Sequence, residues 1–498
     1  MSPLITLFIL LAYFGVLILL SWYTSKNADE KSFYTGNKES PWFLVAFGMI
    51  GASLSGVTFL SVPGAVANSH FGYFQVVLGY MVGYVIIARV LLPLYYRLNL
   101  TSIYTYLEGR YGTMAYKTGA AYFLLSRIIG ASFRLFLIAG VLHLAIFQNL
   151  IDGRELPYWF TVAVTIALIF AYTAKSGIKT VVYTDALQTF FLLASVVLTI
   201  IFIVNKLDWT WSETLINLSN DPNTQIFHFE GNGGNVFWKQ FLGGAFIALA
   251  MTGLDQDMMQ KNLSISNVKS AQKNIYVQMA MFLVVNIVFL SLGALLYQYA
   301  AAFNITDFSK PDELFTSIAM RHSIPVVGAF FIIGLVAAAY SSADSALTAL
   351  TTSYCVDFLG FERNGRGTDK KVRRKVHITF AVIIFFTILI FKELNNDSVI
   401  VALFKVAGFT YGPLLGLFSF GILTNRKVDD KYILPITLVA ILCTAGYYFG
   451  LPYLIKDFKA GFELIIINGL LTFAMLYFIS VSTPQTNSEI ENTEKHKI

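Results

Sequence analysis

The sequence predicts an all-α polytopic membrane protein with about 13 transmembrane helices. Its 498 residues are 56% hydrophobic and only 13% charged. Apolar runs of about 20 residues, the length that a helix needs to cross the hydrocarbon layer, recur along the whole chain. Only helices and closed barrels satisfy the backbone in lipid, and a barrel would show alternating segments of about ten residues instead.

Thirteen hydrophobic spans follow one another, and each is expected to form a helix. They cover residues 3–23, 42–66, 74–97, 117–148, 157–174, 180–204, 237–258, 274–302, 324–358, 376–392, 396–425, 431–451 and 461–482. The first span lacks the basic start and the cleavage site of a signal peptide, so we expect it to be retained. Residues 1–482 therefore form one predicted transmembrane domain, followed by a polar cytoplasmic tail over 483–498.

The distribution of Lys and Arg predicts the orientation in the membrane. The loop after the ninth span contains Arg363, Arg366, Lys370, Lys371, Arg373, Arg374 and Lys375. The loop after the sixth span, about 207–235, has no Lys or Arg but four acidic residues. Because basic loops remain in the cytoplasm, we expect the N-terminus outside and the C-terminus inside. The predicted location is the inner (plasma) membrane.

Several function classes are disfavoured by what the chain lacks. No soluble domain and no GxxxxGK[ST] loop is present, which argues against an ATP-driven pump. Six scattered His and two Cys within apolar spans give no metal or disulfide pattern. The sequence shows no cluster of a nucleophile and a base that would indicate an enzyme. The net charge of +6 is spread over short loops, so we expect no nucleic-acid partner and no obligate protein partner, only the lipid bilayer.

The second span, FGMIGASLSGVTFLSVPGAV, combines helix-weakening residues with hydroxyls. Gly48, Gly51, Gly56, Pro63 and Gly64 interrupt it, and Ser and Thr residues lie between them. Interrupted spans of this kind indicate transporter sites, where broken helices offer free carbonyls to ions and solutes. The alternative is close helix packing through small residues.

The ninth span carries hydroxyls and a carboxylate in YSSADSALTALTTSY. Helical spacing places Ala338, Ser341, Ser342, Ser345, Thr348 and Thr352 on one stripe. Asp344 lies on the shoulder of that stripe. Hydroxyl and carbonyl oxygens suit an alkali cation, although serines also bond back to their own helix. An intramembrane carboxylate is by default functional or paired.

Two further charged residues lie within spans. Asp185 lies about two turns into the sixth span, where it is either functional or a hydrated residue near the interface. Arg134 lies too deep in the fourth span, which also carries Arg127, to reach the interface easily. A guanidinium there could pair with a buried carboxylate or receive an anionic solute in bidentate fashion.

Six segments in order resemble the sodium/solute symporter family, which includes the sodium/glucose and sialic acid transporters. They are SLSGVTFLSVP, TSIYTYLEGRYG, GIKTVVYTDALQ, TGLDQDMMQKNLS, AAAYSSADS and AGFTYGPLLGLF. The resemblance covers nearly the whole chain. It implies the LeuT-like fold, with inverted repeats of five helices at about 42–204 and 237–425, one extra helix before them and two after.

The resemblance also implies binding residues. A first Na⁺ site would use the carbonyls of Gly51, Leu54 and Ala338 and the hydroxyls of Ser341 and Ser342. The solute would meet residues matched by position, namely Ser53, Ser55, Thr58, Arg134 and, less directly, Gln75 with Tyr80 nearby. A second Na⁺ site would use Asp185, Ser345 and Asp344, where the family pattern has Ser at the position of Asp344.

Three interpretations of Asp344 remain open. It ligates a second sodium with Asp185, it neutralises Arg134 across the cavity, or it is protonated and bonded to a carbonyl. The predicted function is sodium-coupled import of a small polar solute, with a sialic acid or another carboxylate favoured by Arg134. The alternatives are a neutral sugar or other organic solute and, from other classes, a passive channel or a membrane enzyme.

Overall fold

The computed structural model describes residues 3–26, 30–143, 146, 156–173, 177–230, 234–361, 369–394, 399–454 and 461–481. A helix lies at each of the thirteen predicted spans. In chain order these are α1 Pro3–Thr24, α2 Trp42–Gly64, α3 Tyr73–Ile86, α4 Thr113–Leu142, α5 Tyr158–Thr173, α6 Ile178–Lys206, α7 in two parts at Phe237–Ala248 and Gln256–Leu263, α8 Val268–Ala302, α9 Pro325–Ser353, α10 Lys370–Leu394, α11 Val399–Leu423, α12 Ile433–Leu454 and α13 Leu464–Ile479.

The thirteen helices differ in whether they are long enough to span a membrane. Within the described ranges, nine helices are long and apolar enough to cross a membrane, or ten if the two bent halves of α2 count as one. Helices α5 and α13 are apolar but shorter. The chain is therefore an integral multi-pass protein, while the count of thirteen crossings remains a prediction. The polar tail at 483–498 and two basic residues of the ninth loop, Arg363 and Arg366, lie outside the described residues.

Helix α2 is broken in the middle, as its Gly, Ser and Pro content predicts. Ser55 has φ 51° and ψ 165°, which no helix accommodates. The halves 42–56 and 58–64 meet at a bend of 61°. A break leaves carbonyls before it without their usual amide partners four residues later. The carbonyl of Ala52 instead accepts a hydrogen bond from Ser342 of α9.

Helix α7 departs from the prediction of one span over 237–258. Its first part ends at Ala248 and continues through a wide turn at Leu249–Gly253. The second part starts after Asp255, whose side chain accepts the backbone N–H of Met258 at 3.1 Å. Gly253 and the capping carboxylate explain the interruption, because both favour a helix end over a helix interior. The first helix of each predicted repeat is therefore broken.

Helix α9 is the centre of the molecule. The apolar part of α9 is 78% buried, whereas the corresponding parts of α10 and α12 are 28% and 22% buried and present large apolar side chains outward. Helices α2, α4 and α6 pack directly on α9. The polar segment that begins at Ser341 thus lies inside the helix bundle and away from lipid.

Helices α3 and α7 approach each other backbone to backbone. A Cβ at Gly79 of α3 would lie 2.0 Å from the carbonyl oxygen of Phe241. A Cβ at Gly244 of α7 would lie 2.2 Å from the carbonyl oxygen of Val76. Only glycine permits this separation, so the two helices form a tightly joined pair.

Candidate functional site: a central cavity and a buried charge cluster

A cavity opens at the break of α2. It contains four of the residues predicted to bind solute: Ser53, Ser55, Thr58 and Arg134. The rest of its wall comes from α2, α3, α4, α7 and α8, with Ala52, Tyr73, Tyr80, Tyr84, Arg127, Ile247, Ala248, Met251, Thr252, Met258 and Phe282. Aromatic faces with a few hydroxyls and cations are the usual lining of a small-molecule site.

Arg134 is the unsatisfied cation of this cavity. Its side chain is 6% exposed, and its Nε and Nη1 atoms have no hydrogen-bond partner. Among the residues described, no carboxylate forms an ion pair with it, whereas nearby Arg127 pairs with Asp255 and Asp257. Because an unpaired buried guanidinium is costly, its donors indicate a place for an anionic group.

Gln75 lies outside the cavity, in contrast to the expectation that it contacts solute. Its amide nitrogen donates to the carbonyls of Gly72 and Asn235 and to the side chain of Gln240, and its oxygen accepts from His228. Both ends of its side-chain amide are thus used to fasten the segments beside α3 and α7. We do not propose it as a solute ligand. Tyr80, the neighbouring candidate, does line the cavity.

The residues of the expected first sodium site lie where the break of α2 meets α9. The hydroxyl of Ser342 donates to the carbonyl of Ala52 at 3.3 Å, and the buried hydroxyl of Ser341 faces Asp185 without a close hydrogen bond. Gly51 and Leu54 lie on the α2 side of this contact and Ala338 on the α9 side, all buried. The donor set consists of neutral oxygens, which suits a monovalent hard cation.

The residues expected to form a second sodium site also lie close together, with an additional cation among them. The hydroxyl of Ser345 lies 3.5 Å from Asp185 and 3.3 Å from Asp344. The ammonium of Lys261, from the second part of α7, lies 2.7 Å from Asp185. Lys261 and Asp185 are each only 1% exposed. The charge of Asp185 is therefore compensated by a residue that the sequence did not single out.

Asp344 is fully buried and does not meet Arg134. One of its oxygens accepts the Tyr172 hydroxyl at 3.0 Å, and the other accepts the backbone N–H of Ser345 at 2.5 Å. Arg134 instead lines the cavity beside Arg127. The interpretation that Asp344 neutralises Arg134 is therefore wrong, and among the described residues its partners are hydroxyl and amide groups.

A second charged group surrounds Arg127, which pairs with Asp255 at 3.6 Å and with Asp257. Asp255 also accepts the Tyr411 hydroxyl of α11. These acids and Lys261 belong to the segment TGLDQDMMQKNLS, which was recognised as a family motif but not assigned a role. Three charges within seven residues next to an apolar span were the available signal, because such a density is costly unless it is paired.

Comparisons with known proteins agree with this architecture. A model of the sodium:solute symporter family matches residues 33–430. The sodium-coupled monocarboxylate transporter 2 of Bos taurus is 24% identical over 429 residues, covering 84% of this chain and 67% of that protein. Two sodium/sialic acid symporters, NanT of Aliivibrio fischeri and SiaT of Proteus mirabilis, are each 24% identical, covering 86% and 88% of this chain and 84% and 89% of their own lengths.

Solved structures support the same fold. The substrate-bound outward-open state of a Na⁺-coupled sialic acid symporter superposes with a TM-score of 0.81 at 19% identity, covering 95% of this chain and 97% of that one. Mhp1, a nucleobase-cation-symport-1 family transporter, in a closed conformation gives a TM-score of 0.57 at 14% identity, covering 89% of this chain and 92% of that one. The chain therefore has the LeuT-like all-α transporter fold that its sequence predicts.

Proposed function

This chain belongs to the sodium:solute symporter family, and from that premise we propose that it imports a small solute bearing a carboxylate. The general function follows from the family: the protein is a transporter, not an enzyme, and it uses sodium to drive symport of a small solute. The proposal concerns the solute class, the binding residues and the direction.

The observation that carries the proposal is the unpaired guanidinium of Arg134. It is 6% exposed and lines the cavity together with Ser53, Ser55 and Thr58. A solute carboxylate would accept two of its N–H groups, and the hydroxyls on α2 would contact the polar part of the solute. A neutral solute would leave this buried charge without a counter-charge.

The similar proteins fit this solute class. They include transporters of monocarboxylates and of sialic acid, and all of these solutes carry a carboxylate. The two groups differ in the size and polarity of the rest of the solute. We therefore propose the carboxylate as the recognised group, with a sialic acid or a smaller monocarboxylate as the solute.

We assign the coupling sodium to the contact between α2 and α9. The carbonyls of Gly51, Leu54 and Ala338 and the hydroxyls of Ser341 and Ser342 would surround it. The hydroxyl of Ser341 supports this assignment, because it forms no close hydrogen bond and its oxygen is available to a cation. Sodium would thereby join the two helices, of which α2 also contributes to the solute cavity.

The transport cycle would follow from this sodium-dependent contact between α2 and α9. With the N-terminus outside, the repeats at 42–204 and 237–425 would rock around the cavity, and external sodium would favour the outward-open arrangement. Solute binding would then allow closure. Release would follow on the cytoplasmic side, where sodium is scarce.

Reconstitution of the full chain into liposomes tests the proposal. An inward sodium gradient should drive uptake of N-acetylneuraminate or of a monocarboxylate such as lactate. Arg134→Gln should abolish that uptake, and Arg134→Lys should restore part of it. Arg89→Gln is the matched control, because Arg89 is exposed and bonds to Tyr276 away from the cavity. Rapid uptake without a gradient, or undiminished carboxylate uptake by Arg134→Gln, would contradict the proposal.

A further inference from the structure

The wall of the central cavity changes from polar to apolar between helices. The guanidinium of Arg134 comes from α4, and the hydroxyls of Ser53, Ser55 and Thr58 come from α2. The apolar part comes from α7 and α8 and consists of Ile247, Ala248, Met251, Met258 and Phe282. A solute that uses the whole cavity must therefore combine an anionic end with an apolar end.

Many hydroxyls of the cavity already face polar groups of the protein. On α3, the hydroxyl of Tyr73 faces that of Tyr80, and the hydroxyl of Tyr84 faces Ser53 and Thr252. The hydroxyl of Ser53 also accepts a hydrogen bond from the side-chain amide of Gln278 at 3.3 Å. These groups therefore offer little further hydrogen bonding to a solute.

Side-chain amides and carboxylates are missing from the lining. Among the described residues that line the cavity, none is Asp, Glu, Asn or Gln. A sialic acid carries several hydroxyls and an acetamido group, and each of these loses free energy when it is buried without a partner. A carboxylate with an apolar chain avoids this loss, because Arg134 binds the one end and the apolar wall covers the other.

The size of the cavity leads to the same solute class. It offers a volume of about 70 Å³ to water-sized groups. Since one water requires about 10–15 Å³ on this measure, the cavity accommodates about five to seven such groups. That number matches acids such as propionate, lactate and butyrate. A sialic acid, with its ring and its glycerol chain, is several times larger.

The apolar wall is held in place by aromatic contacts. The ring of Phe282 stacks on that of Tyr80 with a centroid distance of 5.8 Å, and it meets the ring of Tyr84 edge to face at 6.3 Å. Phe282 is 2% exposed, so it has no free space into which it could withdraw. Met251 lies in the wide turn of α7 and is the more adaptable part of this wall.

We propose that the central cavity binds short aliphatic monocarboxylates and that Met251 and Phe282 limit the length of their chain. The carboxylate would lie on Arg134 and the chain on the apolar wall, while Ser55 and Thr58 would contact a hydroxyl or keto group next to the carboxylate. This inference rests on the proposed import of a carboxylate, and it narrows the solute to acids smaller than a sialic acid.

Calorimetric titration of the full chain in detergent with sodium tests the solute class. Each methylene group added from acetate to butyrate should tighten binding about fourfold, because it is buried on the apolar wall. Octanoate should bind about tenfold more weakly than butyrate, because its chain would overfill the cavity. Binding of octanoate as tight as that of butyrate, or tighter binding of N-acetylneuraminate, would overturn the inference.

Variants of the apolar wall test the length limit. Met251→Ala should make hexanoate the most tightly bound acid and leave acetate unchanged, because the carboxylate end is intact. Phe282→Leu shortens another part of the wall and should shift the preference in the same direction. Met114→Ala is the matched control, since Met114 is 45% exposed and distant from the lining. An unchanged order of acids in both wall variants would exclude these residues as the length limit.

Uptake into liposomes separates this inference from the proposed function. If a sodium gradient drives uptake of N-acetylneuraminate through Arg134 but not of lactate, the narrower solute class is wrong and the proposed carboxylate symport stands. If butyrate binds to the unmodified protein but not to Arg134→Gln, and a gradient drives uptake of no carboxylate, the proposed function is wrong and the binding inference stands.

Discussion

At the scale of single residues, two neighbouring hydroxyls of α9 differ in their hydrogen bonding. The buried hydroxyl of Ser341 faces Asp185 without a close hydrogen bond, whereas the hydroxyl of Ser342 donates a hydrogen bond to the carbonyl of Ala52. A cation at this place would draw both oxygens and that region of α2 toward itself. The bond from Ser342 to Ala52 must then weaken, since both oxygens would turn toward the positive charge.

Ser342→Ala should raise the sodium concentration needed for half-maximal uptake by about tenfold. Losing one oxygen ligand should weaken binding by about 1.4 kcal/mol, which corresponds to that factor. The sodium dependence of uptake or of the melting temperature measures the effect. Ser219→Ala is the control, because Ser219 is exposed and its hydroxyl also donates to a backbone carbonyl, that of Ile216. An unchanged sodium requirement would remove Ser342 from the site.

At the scale of helices, buried ion pairs formed by two cations fix the second part of α7 inside the bundle. Lys261 joins it to Asp185 of α6, and Arg127 of α4 binds Asp255 and Asp257. All three pairs are almost completely buried. Removing one partner of a buried pair leaves an uncompensated charge, whereas removing both partners does not.

Lys261→Met alone should destabilise the protein by about 3–5 kcal/mol, because Asp185 would remain buried and unpaired. The double variant Asp185→Asn with Lys261→Met should recover most of that loss. Thermal unfolding in detergent, followed by tryptophan fluorescence, measures both. The exposed pair Lys431–Asp429, with an N–O distance of 2.8 Å, is the matched control, and Lys431→Met should cost less than about 1 kcal/mol. Equal stability of the single and double variants would contradict the pairing.

Helix positions and the α2 break could be predicted from the sequence, because hydrophobic length and local Gly, Ser and Pro content determine them. Arg134 could be found because a deep lone cation is conspicuous in an apolar span. The pairing of Lys261 with Asp185 could not be predicted, since it joins residues far apart in the chain. The same holds for Gln75, whose partners Asn235 and Gln240 come from another segment. The break in α7 was missed because apolar residues continue through it.

At the scale of the whole molecule, a second cavity lies beside the central one and shares Tyr73 with it. The second part of α2, the residues that follow it, and the start of α13 line it, including Ser61, Ser69 and Leu464. Its position at the C-terminal end of α2 is the outer side if the N-terminus is external. Solute would then pass this cavity before it reaches Arg134.

Cysteine labelling should reveal this route. In a Cys443→Ser background, which removes the exposed native thiol, Ser69→Cys should react faster with a membrane-impermeant maleimide when sodium is added. Further addition of a transported carboxylate should slow the reaction, because closure would narrow the cavity. Ser219→Cys, exposed beyond the cavity, should react at one rate throughout. If neither sodium nor the carboxylate changed the labelling rate at position 69, this result would argue against a rocking motion of the two repeats around this cavity.

The backbone contact between α3 and α7 has a mechanical consequence. Two helices in backbone contact at Gly79 and Gly244 resist bending more than either helix does alone. The close contact prevents the backbone of one helix from sliding along the backbone of the other. Elastic deformation during transport must then concentrate where no such joint exists, at Ser55 in α2 and at the wide turn Leu249–Gly253. Bulky side chains at Gly79 or Gly244 would therefore change the stiffness of the α3–α7 pair without changing any residue of the binding site.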